Sequence, residues 1–196
     1  MHEAPDPLRL ELAAAAARLV ADSGLDYANA KKKALRQVLG DGPVPRRSMP
    51  DNDEIDAALR EHLELFDADH ARRVAERRRT AAALMKRLQA FHPYLTGAVW
   101  KGIVTEHAPI HLQLFHDNPK DVEIELLNEG VDFEVSTVPH FRSGAEIEAI
   151  GFYLDDAPVL LSLYGHDDLR GALRGGPAGA ERGNRDALLE RLEQAA

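Results

Sequence analysis

A chain of 196 residues, 44% hydrophobic and 29% charged, carries enough apolar material for a packed core and is not compositionally disordered. The absence of cysteine excludes disulfides, thiolate zinc sites, iron–sulfur clusters and cysteine nucleophiles together. The net charge of −9 is uneven: residues 1–90 carry 16 Lys/Arg against 15 Asp/Glu, and residues 91–196 carry 8 against 18. So acidic a C-terminal half argues against a broad nucleic-acid footprint there.

No window approaches the ~18 uninterrupted apolar residues of a membrane span. The start, Met-His-Glu-Ala-Pro-Asp-Pro, lacks the basic-then-apolar order of a secretion signal, so the expectation is a cytoplasmic protein with no membrane partner.

In chain order, Leu8, Leu12, Ala15 and Leu19 share a helical face and predict a helix ending near Gly24. Asp26 is placed to cap a second helix, Tyr27 to Leu39, stopped by Gly40. Glycines and prolines between Gly40 and Pro50 predict a linker. Asp51 with Glu54 forms a capping-box pattern ahead of a helix over Asn52 to Leu65. A longer helix is predicted from Asp69 to Phe91, with Val74, Ala81, Met85 and Leu88 on its buried stripe.

After Pro93 the spacing changes. Ile110, Leu112 and Leu114 alternate with His111, Gln113 and Phe115, which predicts a strand. Asn118-Pro119 opens a short helix to about Asn128, and Val131, Phe133 and Val135 suggest another strand. Residues 148–154 and 158–164 read as a hairpin, 175–183 as a flexible link and 185–194 as a final helix. The expected class is α+β: a helical N-terminal region over 1–68, a small mixed sheet with flanking helices over 69–170, and a link with a C-terminal helix over 171–196.

His107 and His111 have the i, i+4 spacing of a helical zinc pair, but Pro109 between them disfavours a helix. As strand residues they could approach Asp132 and Glu134, giving a nitrogen-and-oxygen site for a divalent metal such as Mn or Zn. Gly-x-Ser-x-Gly is absent, so a hydrolase elbow has no support. The basic runs Lys31-Lys32-Lys33 and Arg77-Arg78-Arg79 lie within predicted helices and read as solvated faces.

The stretch from about residue 80 to 136 resembles the nucleotidyltransferases of the DNA polymerase β type. In that family a small-residue turn follows a strand, and about ten residues later a second strand carries two acids at i and i+2, with a third acid on a neighbouring strand. Three carboxylates on one sheet face hold the Mg²⁺ ions that clamp the triphosphate. Here Leu95-Thr96-Gly97-Ala98 takes the place of the turn, and Pro109-Ile110-His111-Leu112 that of the paired acids.

The resemblance implies nucleotide contacts at Gly97, Ala98, Lys101 and His111, and a third-carboxylate role for Asp132 or Glu134. It also implies damage: Ala98 replaces Ser or Gly, and Pro109 and His111 stand where both acids belong. The functional expectation is therefore a nucleotidyltransferase-like protein with a degenerate site, binding a nucleotide or a protein partner. The alternative is a helical protein–protein interaction module whose sheet is only a scaffold.

The run Glu106 to Phe115 also resembles small bacterial proteins that carry the label UDP-N-acetylmuramate–alanine ligase. Such ligases need a phosphate loop ending in Gly-Lys-Ser/Thr, and this chain has no Gly-Lys dipeptide.

Overall fold

The computed structural model describes residues 6–40, 42, 45–174 and 181–195. The chain divides into two compact units, Met1–Ala71 with Ile103–His107, and Arg72–Gly102 with Ala108–Ala196.

The first unit is helical, with α1 (Pro7–Ser23), α2 (Tyr27–Leu39) and α3 (Asn52–Phe66). The starts of all three helices and the end of α1 have local causes. Asp6, Asp26 and Asp51 each accept a hydrogen bond from a first-turn backbone N–H, and Gly24 closes α1 in the left-handed conformation. The capping box of Asp51 and Glu54 is formed in both directions. α1 packs against α2 and α3, and Ala13, Ala15, Ala16 and Ala17 are all buried, so the alanine run lets the helices approach closely. Ala30 and Ala34 of α2 and Ile55, Leu59 and Leu63 of α3 complete this core. Arg9 ties α1 to the capping box, its Nε 2.6 Å from Glu54 Oε1 and its Nη2 3.3 Å from Asp51 Oδ2. The linker before α3 contains a short 3₁₀ turn, Arg46–Ser48.

The second unit is a six-stranded mixed sheet with flanking helices. α4 (His70–Arg87) leads through a 3₁₀ turn to β1 (Tyr94–Thr96), then α5 (Gly97–Lys101), β2 (Ile110–Phe115), α6 (Pro119–Asn128), β3 (Glu134–Pro139), β4 (Glu146–Leu154) and β5 (Ala157–Tyr164). α7 (Asp168–Ala172), β6 (Arg182–Gly183) and α8 (Arg185–Gln194) follow. The predicted helix to Phe91 is thus two elements, and Val74 lies outside the fully buried stripe of Ala81, Met85 and Leu88. Residues 175–180 of the expected link lie outside the described residues, and Arg182–Gly183 pairs as a strand instead.

The strand order is β3-β4-β5-β2-β1-β6, with β2 and β5 parallel and every other pair antiparallel. Because the side-chain period is two, this register sorts the sheet into two faces. Leu95, Ile110, Leu112, Leu114, Leu161 and Ile150 lie on one face, all essentially buried. Thr96, Tyr94, His111, Gln113, Ser162 and Ala149 lie on the other.

Two expectations change here. Gln113, which alternates with the apolar positions of β2, is nevertheless buried, since β2 lies in mid-sheet. Val131 and Phe133 precede β3 and are half-buried, while Val135 is 51% exposed, so the predicted strand begins only at Glu134 and packs loosely. The reason is position: β3 is the outermost strand.

Candidate functional site

The centre of the polar sheet face is built by β1, β2 and β5. β1 ends at Thr96, and Gly97 opens α5 with φ of +70°. This left-handed turn suits glycine, and a Cβ there would sit 3.7 Å from the Cβ of His111. Thr96 is the direct cross-strand partner of His111. Its hydroxyl donates to the backbone oxygen of Glu181 at 2.8 Å.

His111 Nε2 lies 2.7 Å from Ser162 Oγ on the parallel neighbour β5. Burial holds the imidazole down to about 4, so at neutral pH the pair is uncharged. Ser162 is fully buried beneath the strand surface. That excludes the serine as an accessible nucleophile, although the spacing is that of a nucleophile and its base.

Gln113, two residues on, shares the His111 face. Tyr164, stacked on Phe115 at 5.4 Å, stands beside it. Burial pushes the Tyr164 hydroxyl up, against opposing contributions from the Gln113 side chain and the Arg182 charge. Arg182 pairs in register with Thr96, lies 5.0 Å over the Phe141 ring and donates from Nη1 to the Ala172 oxygen at 2.6 Å. Gln113 Oε1 and Arg182 Nε are buried without a hydrogen-bond partner among the described residues. Leaving such a group unpaired in the interior costs about 1–3 kcal/mol.

The carboxyl ends of β2 and β5 carry a second group of polar residues. His116 Nε2 lies 2.7 Å from Asp121 Oδ2, and Asp117 Oδ1 accepts from the His166 backbone N–H at 2.8 Å. His140 Nδ1 accepts from the backbone N–H groups of Arg142 and Ser143, and its Nε2 faces Asp168 at 3.2 Å. His140 Nδ1 thus closes the β3–β4 turn, while its Nε2 ties that turn to Asp168 of α7.

Compared with known proteins, the chain matches no family model, no curated protein and no solved structure.

The sequence-derived site residues fall in three places. Gly97, Ala98, Lys101 and His111 belong to the β1–α5–β2 segment, and Gly97 and His111 are neighbours. His107 belongs to the other unit, where its ring lies against Gly24. Asp132 and Glu134 lie just before and at the start of β3, with β4 and β5 between them and β2. The expected convergence of Asp132 or Glu134 on His111 is therefore corrected. After α6 the chain passes to the far edge and returns through a meander, so the strand next in sequence is not the strand next in space.

Among the described residues, no group of three or more His, Asp or Glu is placed to hold a metal ion. The donors beside His111 are Gln113 and Ser162, which do not fit a hard Mg²⁺ ion that needs carboxylates. Pro109, aligned with one of the paired acids, precedes β2 altogether. Sequence reasoning missed Gln113, Ser162, Tyr164 and Arg182. Ser162 and Gln113 were visible as single polar residues in apolar strand runs, but their joint face depends on the parallel β2–β5 pairing.

Proposed function

We propose that this chain is a nucleotidyltransferase-like α+β protein whose metal site is replaced by neutral polar side chains, so that it acts by binding a nucleotide or a protein partner rather than by catalysis. The observation that carries this reading is His111, which stands where the resembled family has one of its paired acids and shares a face of β2 with Gln113 beside the Gly97 turn. Pro109, where the other acid belongs, precedes β2. Here the imidazole is uncharged and bonded to Ser162, and the amide oxygen is unpartnered. Without carboxylates this face can accept the polar edge of a ligand but cannot balance two divalent cations.

The test is isothermal calorimetry of the full chain with ATP, GTP, CTP and UTP, each with and without Mn²⁺. Saturable binding that does not need the metal, and that weakens in Gln113→Leu, supports the reading. Binding that appears only with Mn²⁺ contradicts the loss of the metal site. A second reading, an interaction module, is favoured by Leu65 and Phe66 at the end of α3, which are 67% and 76% exposed. Absence of binding by all four nucleotides leaves that reading in place.

A further inference from the structure

We infer that the outer edge of the sheet, β3 with the groove beside it, is a docking site for an extended peptide segment rich in lysine or arginine. Among the described residues β3 bonds to β4 on one side only and stands at the end of the strand order. An edge strand presents backbone N–H and C=O groups that only another extended chain can satisfy in register. Natural edges are usually blunted by lysine, proline or a bulge. β3, Glu-Val-Ser-Thr-Val-Pro, has no lysine, meets proline only at its last position, and is exposed at every residue but Val138.

Charge decides what kind of chain fits. Residues 129–164, which hold the β3–β4–β5 meander, carry seven Asp/Glu and one Lys/Arg. The single cation, Arg142, lies 5.9 Å from the Phe141 ring in the β3–β4 turn, next to Gly171. At the other end a groove of about 890 Å³ is lined by Asp132, Phe133, Glu134, Phe152 and Tyr153 among others, with no Lys or Arg among the described residues that line it. Tyr153 is 77% exposed and lines this groove together with Asp132 and Glu134, an aromatic ring and two carboxylates that a cation can meet. A second copy of this chain would bring the same acids against themselves, and a nucleic acid would meet like charge. A cationic strand satisfies the backbone edge and the carboxylates together. This surface is separate from the His111 face, so it stands whether or not a nucleotide binds there.

The probe is a blocked, fluorescein-labelled octapeptide alternating Lys with Val or Thr, titrated against the full chain by fluorescence anisotropy. Two controls are the same peptide with alternate backbone nitrogens methylated and the same peptide with Glu for Lys. The expected result is saturable, salt-sensitive binding of the lysine peptide, weakened about tenfold or more in both controls and in Glu134→Lys. Asp132→Asn with Glu134→Gln, checked by circular dichroism, serves if the charge reversal does not fold. Failure of the lysine peptide to bind, equal binding of the methylated peptide, or indifference to the variants would overturn the proposal. So would concentration-dependent self-association through β3 in sedimentation, since a second copy would then hold the edge.

Discussion

His111 on β2 and Ser162 on β5 share a hydrogen bond of 2.7 Å across the only parallel pair among the described strands. It ties two segments fifty-one residues apart in sequence and sits where burial disfavours charge. Protonating the imidazole would place an uncompensated cation beside an apolar sheet centre.

This gives a pH dependence. The folded-state value of about 4 lies below the ordinary 6.5, so the unfolded chain binds the extra proton more readily between those values. Stability from this residue is complete above pH 6.5 and is lost as pH falls towards 4, amounting to about 3 kcal/mol. Urea denaturation at pH 7 and pH 4.5 should show wild type losing at least about 2 kcal/mol more than His111→Gln. Equal losses would mean the imidazole is not held neutral by the fold.

The two faces of β2 should be about equally intolerant of charge. Leu112 and Gln113 are both buried, so Leu112→Asp and Gln113→Asp should each remove soluble folded protein, as judged by circular dichroism and gel filtration. Leu112→Ala should cost about 2–5 kcal/mol in urea denaturation. Tolerance of Gln113→Asp would place that side chain in solvent after all.

The contrast between these neighbours shows what the sequence could disclose. Helix boundaries were legible because their causes are local: Asp26, Asp51, Gly24 and Pro119 act within one turn of where they sit. The alternation in Ile110 to Phe115 announced a strand for the same reason. Burial of both faces of that strand depends on β5, which arrives more than forty residues later. Asp132 and Glu134 were assigned to the site because sequence order was taken for spatial order, and the far-edge meander breaks that equivalence. Ser162 and Arg182 carry no motif at all; only the register reveals them.

The β4–β5 turn offers a stabilising change. Leu154 pairs with Ala157, and the two central residues, Asp155 and Asp156, have φ of +48° and +62°. That is the left-handed pattern of a two-residue hairpin, in which Asn-Gly is preferred. Asp155→Asn with Asp156→Gly should raise stability by about 1 kcal/mol, read as an increase in urea midpoint with unchanged slope. A loss of stability would show that the carboxylates serve the turn in another way.

Trp100 reports on the opposite end of the sheet. Its ring lies against Gly183 of β6, where an added Cβ would come within 2.1 Å of the indole, and Arg191 stacks over it at 3.8 Å. Gly183→Ala must therefore displace either the ring or the strand, at a cost of about 1–3 kcal/mol. Because Trp100 is the sole tryptophan and is 1% exposed, the emission maximum should shift to the red. Unchanged emission and stability would contradict this packing.

The most direct measurement for the central claim is incubation of the purified chain with each α-labelled NTP, Mg²⁺ or Mn²⁺ and a cell extract as acceptor, followed by separation of labelled products. With Pro109 and His111 where the paired carboxylates belong, no label should move above the level of a protein-free control. Label transfer by the wild type that disappears in His111→Ala or Asp132→Ala would contradict the account and make this protein an enzyme.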